Sequence, residues 1–263
     1  MAYNERVSSA YDAAQRDEPV ATFAMWMDRF GHHAGRRRPL SVLDLGSGTG
    51  KFAPALADAF GGPVVGVEPS GHMRAISQRD RSHPAVTYRD GSSERIPLAD
   101  GAVDLVVMFL VLQHVADRAA AAVEIARVLK RGGRLLVVSH LRGEPTPRAW
   151  SAYFPEAREI EERSLPTMDE AKAMFAPQGL RFVALDRQLI TVCPSLGTYL
   201  ERVRLRSISS LERLSEGEFA AGVAALEADV ARETVPRPVQ QLADLLVFEK
   251  TSPEGLDFLT DDR

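Results

Sequence analysis

The stretch VLDLGSGTG, residues 42–50, joins a short apolar run to three glycines spaced two apart, Gly46, Gly48 and Gly50. The apolar run predicts a strand, and the glycines predict a tight turn whose missing side chains let a ligand approach the backbone. Asp44 precedes the glycines, and a carboxylate facing the ligand would repel a pyrophosphate but attract a cation. The stretch therefore predicts a ligand-binding turn between a strand and a helix.

The composition of the 263-residue chain, with 45% hydrophobic and 26% charged residues, is typical of a soluble globular protein. A formal net charge of −4 offers no long-range attraction to nucleic acid or to an anionic membrane. The N-terminal stretch MAYNERVSSAYD lacks the apolar centre of a secretory signal, and the longest apolar run, residues 105–112, is too short to cross a bilayer. A single cysteine, Cys193, rules out an internal disulfide. We therefore expect a cytoplasmic protein with no nucleic-acid or membrane partner.

Strand-like and helical patterns alternate along the first half of the chain. Strands are predicted at 41–45, 64–67, 86–88, 103–109 and 134–139, and helices at 52–60 and 118–129. Basic residues and glycines at 130–133 are typical of a helix end. Because the central strands are continuous apolar runs, both faces of the sheet should be covered by helices. The pattern predicts a Rossmann-like, doubly wound α/β fold whose central strands are parallel.

The second half of the chain predicts an antiparallel pair of strands at the edge of a seven-stranded sheet, with helical insertions around it. No repeat or linker divides the sequence, so that residues 1–263 are expected to form a single domain. Its expected parts are a helical N-terminal segment at 1–33, a ligand-binding core at 34–141, insertions at 142–178 and 191–239, and the late strands at 180–190 and 240–250. The N-terminal segment and the insertions are expected to form a lid over the ligand.

Further motifs follow the glycine turn in order. They are VGVEPS at 65–70, GSSERIP at 91–97, LQHV at 112–115 and LKRGGRLLV at 129–137. Together with Asp44–Gly50, read as D-x-G-x-G-x-G, they resemble the motifs of the class I S-adenosylmethionine-dependent methyltransferases, in particular the small-molecule (type 11-like) branch. The resemblance covers roughly residues 40–140. It implies S-adenosylmethionine as the methyl donor and S-adenosylhomocysteine as the product.

The resemblance also implies cofactor contacts. Glu68, at the end of the second strand, would accept hydrogen bonds from both ribose hydroxyls, and Met73 would pack against the adenine. Ser92 stands where the family often has an aspartate that accepts from the adenine amino group, so serine and backbone groups would take over that contact. The expected cofactor set is Tyr11, Asp44, Gly46, Ser47, Gly48, Gly50, Glu68, Pro69, Met73, Gly91, Ser92, Ser93 and Phe109.

The methyl acceptor leaves a weaker signal in the sequence. Transfer from a sulfonium requires positioning, exclusion of water and, for a protonated nucleophile, a general base. His114 and His140 follow the fourth and fifth strands, at the edge where open α/β sheets bind ligands, and are the candidate bases. Substrate contacts are expected from Tyr3, His114, Trp150, Tyr153 and Tyr199. No H-x-x-H, C-x-x-C or clustered acidic pattern indicates a metal.

The sequence thus predicts methyl transfer to an O, N or C atom of a small molecule, with secondary metabolism as one setting, by a monomer or homodimer. Two alternatives stay open. One is a protein that binds S-adenosylmethionine and transfers nothing. The other is a nicotinamide-dependent oxidoreductase, which would share an acid at Glu68, 22 positions after Gly46. The glycine spacing and Asp44 argue against the oxidoreductase.

Overall fold

The computed structural model describes residue 12 and residues 19–144, 148–206 and 208–251. The strands in these residues are β1 Val42–Leu45, β2 Val64–Val67, β3 Val86–Arg89, β4 Val103–Phe109, β5 Leu129–Ser139, β6 Leu180–Cys193 and β7 Val239–Lys250. They form one sheet in the order β3-β2-β1-β4-β5-β7-β6. β1 to β5 pair in parallel, and β7 pairs antiparallel with both β5 and β6. The predicted parallel sheet with an antiparallel edge pair is confirmed.

The described helices lie between these strands and in the two insertions. They are α1 Val20–His33, α2 Ala53–Phe60, α3 Gly71–Asp80, α4 Arg118–Val128, α5 Pro155–Ser164, α6 Met168–Phe175, α7 Leu196–Arg204, α8 Ser209–Glu212 and α9 Glu216–Arg232. Short 3₁₀ turns occupy Leu112–His114 and Ala176–Gln178. The first insertion therefore holds a helix, α5, that the sequence did not predict, and the second holds three helices.

The central strands are buried on both faces because successive side chains point to opposite sides of the sheet. Leu43 and Val106 pack in one apolar cluster, which includes residues of α4 and α6. Val42 and Leu105, their neighbours in the chain, pack in the other cluster with residues of α1 and α2. The continuous apolar runs of the sequence thus serve two cores at once, which fixes β1 and β4 in the middle of the sheet.

Helix α1 belongs to this packing. Trp26 and Phe30 of α1 are fully buried, and Trp26 meets the Phe109 ring at a centroid distance of 5.6 Å. The part of the predicted N-terminal segment that is described, Val20–His33, therefore covers one face of the sheet.

The end of α4 differs from the prediction. The helix ends at Val128, and the residues 129–133 already belong to β5. Lys130 contacts Asp104 of β4, with Nζ 2.8 Å from the carboxylate oxygen, and a Cβ on Gly133 would lie 2.9 Å from the Asp104 carbonyl oxygen. Contacts with β4 thus hold the basic, glycine-containing stretch in the strand, a tertiary effect that helix-end signals do not register.

The two insertions pack on each other in a third apolar cluster, away from the sheet. Its members come from α5, α7, α8, α9 and the ends of β6 and β7, and include Trp150, Phe154, Tyr199 and Leu226. We call residues 148–165 and 195–232, which carry most of this cluster, the cap. Gly222 of α9 lies directly against Phe154 and Tyr153, so that a side chain at this position has no room.

The cap should therefore be sensitive to a methyl group at Gly222. A Cβ there would overlap the Phe154 ring and lie 2.7 Å from the Tyr153 carbonyl oxygen, whereas a Cβ on Gly217 of the same helix meets nothing within 4 Å. We expect Gly222→Ala to lower the free energy of unfolding by about 1–3 kcal/mol. Gly217→Ala should raise it by about 0.5–1 kcal/mol through helix propensity. Urea unfolding of both variants checks this, and equal midpoints would contradict the packing.

Candidate functional site

A cavity of about 750 Å³ lies between the glycine turn and the cap. It sits at the carboxyl ends of the parallel strands, where open α/β sheets bind ligands. Of the residues predicted from the sequence, the following line it: Gly46, Gly48, Glu68, Pro69, Met73, Ser92, Ser93, Phe109, His114, His140, Trp150 and Tyr199. The fold thus brings residues from both the predicted cofactor set and the predicted substrate set to one cavity.

Other predicted residues are not among those that line the cavity. These are Asp44, Ser47, Gly50, Gly91 and Tyr153, while Tyr3 and Tyr11 lie outside the described residues. Gly91 packs against Pro97, where a Cβ would lie 2.7 Å from the proline Cδ. The Tyr153 hydroxyl donates to the Asp229 carboxylate at 2.9 Å. Tyr153 therefore links two parts of the second half of the chain, residues 148–165 and α9, to each other.

The glycine turn is held in a backbone conformation that glycine adopts most easily. Gly46, Gly48 and Gly50 have φ angles of +73°, +54° and +79°. A Cβ on Gly46 would lie 2.5 Å from Cγ2 of Val111, which itself lines the cavity. The Gly46 N–H donates to the carbonyl oxygen of Val67 at 2.8 Å, which ties the turn to the end of β2. Glycine is therefore required at Gly46 both by conformation and by space.

Glu68 lies at the wall of the cavity between the glycine turn and α3. Its two carboxylate oxygens accept the N–H of Gly48 at 3.1 Å and the N–H of Ser70 at 2.9 Å. Burial raises the pKa of this carboxyl, and the two backbone hydrogen bonds oppose that shift. Each oxygen keeps a free lone pair after one such bond. The carboxylate is thus fixed in place and can still accept two hydroxyl groups, as a ribose diol requires.

Asp44 lies behind the glycine turn and is only 2% exposed. Its Oδ2 accepts no hydrogen bond among the described residues, and the Ser47 and Thr49 hydroxyls nearby in the chain also lack a partner there. Burial, and then the charge of Glu68, raises the pKa of Asp44 to about 7. A cation close to the turn would favour the charged form. Unsatisfied polar atoms and two carboxylates around one turn fit the sulfonium and ammonium groups of S-adenosylmethionine.

The opposite end of the cavity lies under the cap. Trp150 and Tyr199 line it and are 3% and 2% exposed. Arg148 and Glu161 also line it and form an ion pair of 3.0 Å, with side chains 12% and 13% exposed. Burial lowers the pKa of Arg148 to about 10, although Glu161 opposes the shift, so the guanidinium stays charged at neutral pH. This end combines aromatic faces with a buried ion pair.

Both candidate bases face the cavity. His114 closes the 3₁₀ turn after β4, and burial lowers its pKa below the usual value. His140 follows β5 and is 2% exposed. Burial, and then Arg148, holds the pKa of His140 well below its usual range, and its Nδ1 has no partner among the described residues. Both imidazoles are therefore neutral at pH 7 and able to accept a proton.

Sequence reasoning missed four charged residues of the cavity, which are Glu94, Arg148, Glu161 and Arg202. Arg148 and Glu161 come from a stretch without a clear helical pattern. Arg202 had a signal, because it follows Tyr199 by three positions in a helical stretch, and such residues share a helix face.

Known proteins resemble this chain over its core and over its whole fold. The family model described as a methyltransferase domain matches residues 43–137. A ubiquinone/menaquinone biosynthesis C-methyltransferase of Rubrivivax gelatinosus is 34% identical over 56% of this chain and 57% of its own. An O-methyltransferase of Aspergillus nomiae is 28% identical over 66% of this chain and 79% of its own. A solved structure from Anabaena variabilis, named as a methyltransferase from an antibiotic biosynthesis pathway, covers 86% of this chain and 96% of its own with a TM-score of 0.72 at 21% identity.

Residues 43–137 match the methyltransferase-domain family. Together with the glycine turn, the position of Glu68 and the strand order, the matches support a class I S-adenosylmethionine-dependent methyltransferase, a family whose cofactor is S-adenosylmethionine. The chain spans about half the length of the first curated relatives it matches, from 49% to 57%.

The described residues contain neither a helix that could span a bilayer nor a cluster of side chains that could hold a metal. No described helix has both the length and the apolar character that a bilayer span requires. Within the same residues, no group of three or more His, Cys, Asp and Glu side chains is placed to hold a metal ion.

The lack of space for a side chain at Gly46 can be tested by the effect of a substitution there on cofactor affinity. In Gly46→Ala, the new Cβ would displace Val111, and we expect the affinity for S-adenosylhomocysteine to fall at least tenfold. Gly61→Ala is the control, because Gly61 also has a positive φ, +66°, but has open space around it. The control should lose about 1 kcal/mol of stability and keep its affinity. Isothermal titration calorimetry measures both variants, and an unchanged affinity for Gly46→Ala would refute the geometry.

Proposed function

We propose that this protein transfers the methyl group of S-adenosylmethionine to an O, N or C atom of a small-molecule acceptor. The observation that carries the proposal is the cavity itself, which continues from the glycine turn and Glu68 to the buried aromatic residues of the cap. Its volume, about 750 Å³, lies in the range of small-ligand sites, on the order of 300–1,000 Å³. The named C- and O-methyltransferase relatives support methyl transfer and leave the receiving atom open.

The cofactor supplies a methyl group that its own sulfonium charge activates toward displacement. The protein then has to position the two reactants and to exclude water from them. Glu68 would hold the ribose hydroxyls, the glycine turn leaves room for the ligand, and the nearby Asp44 favours positive charge at this end. Trp150 and Tyr199, almost fully buried, close the other end against water. Such positioning accounts for much of the rate gain in reactions of this kind.

A protonated nucleophile also needs a base, and His114 is the better placed of the two histidines. It lines the cavity after β4 and is exposed, whereas His140 is only 2% exposed. Since burial lowers its pKa, it is neutral at pH 7 and takes up a proton from the acceptor without first losing one.

The alternative of a protein that binds the cofactor and transfers nothing would predict a closed or absent acceptor compartment. The space beneath the cap supports the enzyme instead. The oxidoreductase alternative would require a turn that accepts a pyrophosphate. The carboxylate of Asp44 beside the turn counts against it.

Calorimetric titration with S-adenosylmethionine and S-adenosylhomocysteine tests the donor half of the site. We expect micromolar binding by the intact protein. Glu68→Ala should bind at least tenfold more weakly, because the ribose hydroxyls lose the carboxylate that would accept their hydrogen bonds. Glu159→Ala is the matched control, since Glu159 is an exposed glutamate that pairs with Arg163 on the same helix, at 3.3 Å, and does not line the cavity. Binding of NAD without affinity for S-adenosylmethionine would overturn the proposal.

The base can be tested through the pH dependence of the reaction with the first acceptor found in a panel of phenols, amines and thiols. Because burial lowers the pKa of His114, kcat/KM should rise with pH to a plateau, and the midpoint of that rise should lie below the pH at which an ordinary histidine titrates. His114→Gln should lower kcat about 100-fold or more, keep KM and abolish the acidic limb.

His83→Gln serves as the control for that variant, because His83 is an outer histidine 3.2 Å from Asp58 and does not line the cavity. An acidic limb that persists unchanged in His114→Gln would exclude His114 as the base.

A further inference from the structure

The charged residues that line the cavity divide by position. Glu68 and Glu94 lie on the side of the glycine turn, and both are held by backbone N–H groups, Glu94 by those of Ala116 and Asp117 at 3.1 and 3.3 Å. Arg148, Glu161 and Arg202 lie on the side of the cap. Glu161 offsets the charge of Arg148, which leaves the cap side with the positive charge of Arg202. The cavity wall therefore carries two carboxylates from the side of the sheet and a net positive charge, that of Arg202, from the cap.

Arg202 lies on the cavity wall without an ion-pair partner among the described residues. It lies on α7, three positions after Tyr199, and its Nη1 donates to the carbonyl oxygen of Val192 at 3.2 Å. Among the described residues, no carboxylate lies within 4.0 Å of its guanidinium. Arg204, on the same helix, pairs with both Glu201 and Glu227. An arginine on a cavity wall, with one hydrogen bond from its five N–H groups to the described residues, is suited to bind an anion.

The charge of Arg202 acts on two neighbouring side chains, Tyr199 and Lys51. The hydroxyl of Tyr199 is within reach of the charges of both Arg202 and Arg148, which oppose the rise that burial causes in its pKa. Burial, and then Arg202 and Arg81, lowers the pKa of Lys51 to about 7. A negatively charged ligand group beside Arg202 would therefore meet a positive field, and it would also favour the charged form of Lys51.

We propose that the methyl acceptor carries a carboxylate and binds through it to Arg202. The inference rests on the proposed function and names its substrate class, a small carboxylic acid. Tyr199, three positions before Arg202 on the same helix, and Trp150, also on the cavity wall, offer aromatic faces, so the acid has a flat apolar part. The carboxylate at the cap end leaves the rest of the acceptor to extend toward the glycine turn, where the methyl donor binds. Charge thus orients the acceptor in the cavity.

Matched pairs of aromatic acids and their primary amides test the inference, for example 4-hydroxybenzoate with 4-hydroxybenzamide. Binding is measured by calorimetry on the full chain saturated with S-adenosylhomocysteine. We expect members of the acid series to bind at least tenfold more tightly than their amides. Arg202→Gln should abolish that preference, and Arg202→Lys should restore part of it, since the charge is kept but the paired N–H geometry is lost. Arg204→Gln, on the same helix but outside the cavity, should keep the preference.

The outcomes separate this inference from the proposed function. Equal binding of acids and amides, or no binding of any acid at millimolar concentration, overturns the inference while S-adenosylhomocysteine still binds. Loss of S-adenosylhomocysteine affinity in Arg202→Gln also overturns it, because Arg202 would then hold the carboxylate of the cofactor itself. If the intact protein binds neither S-adenosylmethionine nor S-adenosylhomocysteine, the proposed function fails first, and the inference falls with it.

Discussion

The hydrogen bonds that Glu68 accepts from Gly48 and Ser70 hold the centre of the site together. They join the turn after β1 to the start of α3, and they fix a carboxylate at the wall of the cavity. The glycine turn takes its shape from the same region, because Gly46 donates to the end of β2 and has no room for a side chain beside Val111. The donor half of the site therefore depends on two adjacent parallel strands that end at the same level.

The acceptor half depends on a different kind of packing. The cap has its own apolar cluster, in which Gly222 lets α9 approach Phe154, and it places Trp150 and Tyr199 over the end of the sheet. Under the proposed function, a scaffold built in this way would separate two tasks. The sheet would hold the groups that recognise the cofactor, while the cap, with Arg148, Glu161 and Arg202 on the cavity wall, would hold the groups that select an acceptor.

Sequence patterns located the sheet well and the cap poorly, for a physical reason. Strands such as Val103–Phe109 are apolar throughout because they are buried on both faces. Helix α5 contains the charged run REIEER, in which Arg158–Glu162 and Arg163–Glu159 form exposed ion pairs. Few of its residues are apolar and pack in the cap cluster, so the sequence shows no clear helical pattern of apolar residues there. The end of α4 was also misplaced, since contacts of Lys130 and Gly133 with β4 decide where the strand begins.

The sequence by itself determined the doubly wound sheet, the glycine turn and the place of Glu68, because strand burial, positive φ angles and a carboxylate after β2 all leave local signals. Only the tertiary structure decided what faces the ligand. Asp44 lies behind the turn rather than on the cavity wall, Tyr153 bonds to Asp229 within the cap, and Arg202 stands at the wall without a carboxylate near it among the described residues. Exposure and charge pairing depend on neighbours that are distant in sequence, and no local pattern encodes them.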